Sequence, residues 1–267
     1  MIYGAIIGDI VGSRFENDKN VVSDKHFSFF DPRCKFTDDT VMTVAVAKAM
    51  TESLGKDIDT IKSNLINYMS LYGRRYPKAG YGGAFRDWLN SDNKKPYGSY
   101  GNGSAMRCSI TGWLYDNLDD TLLYSKLSAA VTHNHVEGIK GAQAIAVAIY
   151  MARNDYEKED IKDCIESTFK YNLNRTCYEL KNEVVDKSLR ISCQVTVPQA
   201  IICFLEGEDF EDVIRNAIYI GGDTDTIAAM AGSIAEAYYG VSDDMKKMCY
   251  KFLTYDLISN IKLIEKS

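Results

Sequence analysis

Apolar residues recur at helical spacing over most of the chain. In residues 209–220, DFEDVIRNAIYI, the side chains of Phe210, Val213, Ile214, Ala217 and Ile218 share one face, which predicts an amphipathic helix. Asp209 stands where an N-cap belongs and Gly221 where the helix should stop. Residues 40–50, TVMTVAVAKAM, and 135–152, HVEGIKGAQAIAVAIYMA, are apolar on nearly every side, the pattern of central buried helices. Weaker amphipathic stretches run near 58–72, 119–131, 157–170 and 243–264. Alternation is confined to ISCQVTV at 191–197, which reads as an extended connector or one short strand because Pro198 follows at once. SDNKKPYGSYGNG at 90–102 reads as a loop. The expected fold is all-α: a compact orthogonal multi-helix bundle formed as one domain over residues 1–267.

Composition narrows the class. The 267 residues suffice for a sizeable core, and a formal net charge of -6 gives no general attraction to nucleic acid or anionic membrane. Seven scattered cysteines with no C-x-x-C pair read as reduced thiols in a cytoplasmic protein. The start, MIYGAIIGDIVGSRFE, carries Asp9 and no basic region, so it is not expected to be a signal peptide, and no run is apolar enough to predict a membrane span.

The chemistry gathers at two predicted helix starts. FTDDTVMT at 36–43 places Thr37 as a cap with Asp38 and Asp39 in the first turn; carboxylates there also suit the helix dipole. Adjacent acids flanked by threonines exceed what a cap needs, and the helix behind them is too apolar for the surface. GGDTDT at 221–226 repeats the arrangement before a second apolar helix, with Asp223, Asp225 and Thr226 as its polar groups. If the clusters converge, four carboxylates repel and their pKa values rise unless a cation compensates. Two divalent ions cancel four such charges, and oxygen-only donors select hard ions such as Mg2+, Mn2+ or Ca2+.

Other features are individually weaker. Gly4, Gly8 and Gly12 share one helix face and permit close approach, while Asp9 in the same helix needs a partner or a site. Glu16 follows in SRFENDK, where composition alone makes it a solvated loop acid. GSYGNGSAMR at 98–107 is a glycine-rich loop that turns helical, a shape that can cradle phosphates, though it lacks the Walker ending. THNH at 132–135 offers His133 and His135, either of which could equally be a packing residue.

GAIIGDIVGSRFE, FTDDTVMT, GNGSAMR, THNH and GGDTDTIAAMAGSI, in this order over residues 4–240, resemble the ADP-ribosylglycohydrolase family, which includes the dinitrogenase-reductase-activating glycohydrolases and the ADP-ribosyl-acceptor hydrolases. The resemblance implies an all-α fold with two Mg2+ or Mn2+ ions in a cleft at helix N-termini. By motif, Thr37, Asp38, Asp39, Asp223, Asp225 and Thr226 resemble the metal ligands. Glu16 resembles the acid near the scissile bond, with Asp38 and Asp39 beside it as catalytic candidates. Gly101, Asn102, Gly103, Ser104 and Met106 resemble the loop around the phosphates and distal ribose, and His133 a ligand-contacting histidine. Tyr97–Tyr100 and Tyr81–Phe85 are further candidates for the walls. The chain departs from the pattern at Ile110 and Val136, where family members often have proline, which bears on loop stiffness and on the His133 contact.

The implied activity is metal-dependent release of ADP-ribose from an ADP-ribosylated protein or a small ADP-ribose conjugate. A nucleic-acid-linked substrate remains open, and no membrane partner is expected. Two other readings compete: a non-catalytic ADP-ribose-binding or crystallin-like structural protein, and an all-α magnesium enzyme acting on diphosphates. The first gives no reason to keep the acid clusters, and the second lacks a D-D-x-x-D helix face. An HD-type phosphohydrolase is excluded because the chain contains no His-Asp dipeptide.

Overall fold

The computed structural model describes residues 1–16 and 22–266, so Asn17, Asp18 and Lys19 of the loop after Glu16 lie outside the described residues. The described residues form thirteen α-helices and no strand beyond one isolated bridge, Gly101 to Ser192. The helices are α1 (Tyr3–Gly12), α2 (Asp38–Glu52), α3 (Ile58–Arg75), α4 (Gly83–Asn90), α5 (Leu118–Ala130), α6 (Val136–Arg153) and α7 (Lys158–Phe169). They continue with α8 (Cys177–Lys181), α9 (Cys193–Glu206), α10 (Phe210–Ile220), α11 (Thr224–Tyr239), α12 (Asp243–Tyr250) and α13 (Tyr255–Ile264). No described helix is long and apolar enough to cross a membrane. The seven cysteines are free thiols.

The centre is built by the helices with the fewest polar faces. All of α1, nearly all of α2, and most of α6, α9 and α11 are buried. The most intimate contact is α1 against α11, and it rests on the glycine stripe. A Cβ on Gly4 would lie 2.0 Å from the Gly232 carbonyl oxygen, and one on Gly8 2.1 Å from that of Ala228. A Cβ on Gly12 would lie 2.6 Å from Asp225 Cα. The pairing runs antiparallel, so the end of α1 meets the start of α11. Buried Glu236 closes the far end, accepting from the Gly4 amide at 2.8 Å and the chain's amino terminus at 2.7 Å. Every residue type larger than glycine on this seam would push the two helices apart.

Several expectations hold. Asp209 caps α10 by accepting from Asp212 N at 2.8 Å, and Gly221 ends it at φ 79°. Three expectations are corrected. ISCQVTV is not a strand: only Ser192 is extended, and Cys193 already begins α9. Pro198 sits inside that helix and forgoes one amide hydrogen bond, a loss the burial of Thr196, Val197 and Ala200 outweighs. The stretch 243–264 is two helices, α12 and α13, parted by a turn where Thr254 caps α13 by accepting from Leu257 N. The GNGSAMR run does not become an α-helix; it forms one short 3-10 turn at Asn102–Ser104, and a second, Ser109–Gly112, follows just after it.

Candidate active site

The starts of α2 and α11 face each other across a cleft of about 380 Å³ lined by Glu16, Asp38, Asp39, Asp223, Asp225 and Thr226. At the α2 start, Thr37 performs the capping, accepting from Asp39 N at 3.3 Å. The aspartates are therefore not needed as caps. Asp39 Oδ1 is buried with no hydrogen-bond partner, and its Oδ2 accepts from Thr226 Oγ1 at 3.1 Å, a direct bond between the two clusters. Asp38 is held from behind: its amide donates to the Ala79 carbonyl at 2.9 Å. A Cβ on Gly80 would lie 3.2 Å from Asp38 Oδ1, and Gly80 has φ 115° besides.

At the α11 start, Gly221 and Gly222 both have positive φ and turn the chain sharply into Asp223. Asp223 stands at the N-cap position but makes no side-chain cap bond; its Oδ2 instead accepts from Asn102 Nδ2 at 2.6 Å. Asp225 follows in the first turn, delivered beside α1 by the glycine seam, and accepts from Thr226 N at 2.9 Å.

Asp9 supplies the joint between these elements. Its carboxylate, fully buried, accepts from Thr37 N at 2.8 Å, Thr37 Oγ1 at 2.7 Å and Thr40 N at 3.0 Å, and also from Thr40 Oγ1. Four donors make it the anchor of the α2 start. Its charge still counts. One oxygen from each of Asp9, Asp39 and Asp225 lies within 4.8 Å of the others, and so does one from each of Glu16, Asp223 and Asp225. Two acid trios thus share Asp225.

So much uncompensated acid in a buried place shifts its own ionisation. Burial first, then the charge of Asp9, pushes the Asp38 carboxyl up to about 7. Asp223 rises to about 6, driven by burial and held back by the Asn102 hydrogen bond. Asp39 and Asp225 rise well above the ordinary carboxylate range, by burial and then by each other's or Asp223's charge. An orphaned carboxylate oxygen, oxygen-only donors and raised pKa values are what a hard-cation site presents without its ion; the residues fit one.

The opposite wall comes from the glycine-rich loop and its supports. Gly101, Asn102, Gly103, Met106 and His133 line the cleft together with Tyr97 and Phe85. Thr37 and Ser104 do not: Thr37 is turned to Asp9, and the Ser104 hydroxyl donates to the Gly138 carbonyl at 2.7 Å. Two loop amides are already used, Gly101 N by Ser99 Oγ at 3.1 Å and Asn102 N by the Ile191 carbonyl at 2.9 Å. The loop is therefore a rigid wall more than an open cradle. Glu16, exposed, reaches the rim beside Asp223 and Asp225. Arg107 and Gly80 also line the cleft and carried no expectation; the only sequence signal for Arg107 is its place at the end of GNGSAMR.

An all-helical protein with an acidic cleft at two helix starts is the class that fold and site define. A profile of the ADP-ribosylglycohydrolase family matches residues 1–258, and the chain belongs to that family. It is a glycosidic-bond hydrolase. Similar proteins include ADP-ribosylhydrolase ARH3 of Mus musculus, 26% identical with 96% of this chain and 88% of the relative aligned. The ARH3 of Homo sapiens is likewise 26% identical, over 96% and 90% of the two chains. ADP-ribosylarginine hydrolase Tri1 of Pseudomonas putida is 26% identical over 90% of this chain and 70% of its own. A solved structure described as an ADP-ribosylglycohydrolase-related protein complex shares the fold, with a TM-score of 0.66, 22% identity, and coverage of 93% and 95%.

Proposed function

We propose that this protein releases ADP-ribose from an ADP-ribosylated protein or related conjugate by cleaving the bond at the anomeric carbon of the distal ribose. The observation that carries the reading is the convergence of two helix starts whose buried acids are left uncapped, Asp39 Oδ1 above all. Asp38, Asp39, Asp223 and Asp225, with Thr226 Oγ1, would hold two divalent cations, Mg2+ or Mn2+, and Thr37 would join them by turning its hydroxyl away from Asp9. Bound there, the ions supply Lewis-acid activation and charge compensation. The protein's own groups do the rest. Glu16, at the open rim, exchanges a proton with the attacking water or the leaving group as the oxocarbenium-like transition state forms. Asn102 holds Asp223 in place, and Asp9 holds the α2 start. Gly103, Met106 and His133 form the face against which the ADP-ribose moiety lies. One relative is named for arginine and the ARH3 relatives name no acceptor, at equal identity to this chain, so the linkage is a matter for experiment. The test is incubation with arginine-linked, serine-linked, nucleic-acid-linked and small ADP-ribose conjugates, with and without EDTA. Release of ADP-ribose from at least one, lost in EDTA and restored by Mg2+ or Mn2+, is the expected result. Metal-independent release, or none from any conjugate, would count against it.

A further inference from the structure

Among the described residues, Arg107 is the largest fully buried side chain, and no carboxylate is paired with it. Its Nη2 donates to the Ser128 carbonyl at 3.2 Å and to Thr132 Oγ1 at 2.7 Å, while Nε has no partner. Thr132 Oγ1 in turn lies 2.7 Å from His133 Nδ1. We propose that Arg107 and Thr132 are positioning residues that fix His133 as a neutral imidazole with its proton on Nε2, presented to the cleft as a hydrogen-bond donor for a ligand oxygen.

The argument is one of donor and acceptor counting. A guanidinium only donates, so Thr132 Oγ1 must accept from Arg107. That bond polarises the hydroxyl and makes its own proton the better one to give. The facing imidazole nitrogen stands near a buried positive charge, where carrying a proton is unfavourable. Thr132 therefore donates and His133 Nδ1 accepts, which leaves the ring proton on Nε2. Tyr97 is tied to the same corner by its backbone, its amide donating to the Thr132 carbonyl at 3.0 Å and its ring lying 5.6 Å from that of His133. Nε2 faces the glycine-rich wall: a Cβ on Gly103 would stand 3.1 Å from it, and one on Gly101 3.7 Å. Burial, then the Arg107 charge, holds the imidazole well below its ordinary pKa, consistent with a neutral ring.

The assignment of the ligand oxygen to ADP-ribose rests on the function proposed above; the tautomer does not. The chain has three histidines, so ¹⁵N-histidine labelling of the ligand-free protein gives few signals, assigned with His26→Asn and His135→Asn variants. At neutral pH, His133 is expected to show a protonated Nε2 and a hydrogen-bonded, unprotonated Nδ1. An Nδ1-protonated or doubly protonated ring would overturn the proposal. Thr132→Val should lose this single tautomer and bind ADP-ribose about tenfold more weakly, the worth of one hydrogen bond. Thr132→Ser should restore both, and Tyr97→Phe should leave the tautomer unchanged. A valine variant with the wild-type tautomer sinks the relay, whatever its affinity. Arg107→Gln, if folded, should weaken the Nδ1 hydrogen bond; if it does not fold, the Thr132 pair carries the test. The expected tautomer in a protein that binds no ADP-ribose would support the relay and count against the proposed ligand.

Discussion

The starts of α2 and α11 hold similar residues, yet they are built on opposite plans. At α2 the capping work is done by Thr37 and reinforced by Asp9 from another helix, so the chain entering the helix is ordinary and the acids are surplus. At α11 no side chain caps. Two glycines at positive φ throw the backbone into position, and the acid at the cap site turns away to Asn102. One start is fixed by hydrogen bonds, the other by backbone shape and by the seam with α1. Both hold carboxylates beyond what capping needs, and that shared surplus, not the capping, is the mark of a site. A helix start whose acid caps its own amides explains itself; one whose acid is spare asks for a ligand.

Perturbing the two starts should sharpen this contrast. The largest effect is expected where they are alike. Asp39→Asn and Asp225→Asn should each lower turnover by about 10³-fold, the rate equivalent of losing several kcal/mol of metal assistance. Mg2+ should raise the melting temperature of the unchanged protein, and both variants should abolish that rise. Unequal losses in kinetics and calorimetry would mean the site is served mainly by one helix.

Glu16→Gln should lower turnover by about 10²-fold, the usual worth of a positioned acid or base. The Mg2+-induced thermal shift should remain, because the acid pairs at the helix starts persist. Near-wild-type turnover would return Glu16 to a solvated loop acid and leave the helix starts to supply all the catalysis.

A third test is pH. The carboxyls of Asp38 and Asp223 lie higher in the folded chain than in the unfolded one, at about 7 and about 6. A raised carboxyl stabilises the fold fully below its unfolded pKa, and that contribution is lost as pH rises through the folded value. In EDTA the melting temperature should therefore fall by a few degrees between about pH 5 and pH 8. Saturating Mg2+ should flatten the fall. A metal-free curve that is level over this window would mean the acids are compensated in some other way.

The smallest effect separates the plans directly. Thr37→Ala should cost about 1 kcal/mol of stability, the typical worth of a cap, in urea titrations of the metal-free protein. Asp223→Asn should cost nothing there, because it caps nothing and relieves repulsion. Equal costs would erase the distinction between the two starts.

Much of this was legible in the residues, for reasons that differ by place. The acid pairs and their helices could be read because an apolar helix beginning in Asp and Thr is a local pattern. The glycine stripe announced a close approach, and the seam with Gly232 and Ala228 supplies it. What could not be read was non-local. Asp9 acts through donors about thirty residues away, and Arg107 acts through Thr132, so neither leaves a periodic trace. The failure at 191–197 was of another kind: alternation and proline favour extended chain locally, and packing against the neighbouring helices overrode both. The phosphate-cradle expectation narrowed because two of the loop's amides are spent on Ser99 and Ile191.

The seam between α1 and α11 also has a consequence in time. Thr224 Oγ1 donates to the Gly12 carbonyl across 212 residues of chain, and Glu236 reaches back 232 residues to the Gly4 amide. Contacts of such separation are costly in loop-closure entropy and form late. During synthesis the first helix, apolar but for Asp9, must wait for almost the whole chain before it can be covered. Until α11 emerges, half of the acid cluster does not exist and the other half sits unneutralised on α2. The acidic cleft is thus completed by the same event that closes the molecule, and truncation near the C-terminal end should leave an aggregation-prone chain with an exposed first helix, not a weakened enzyme.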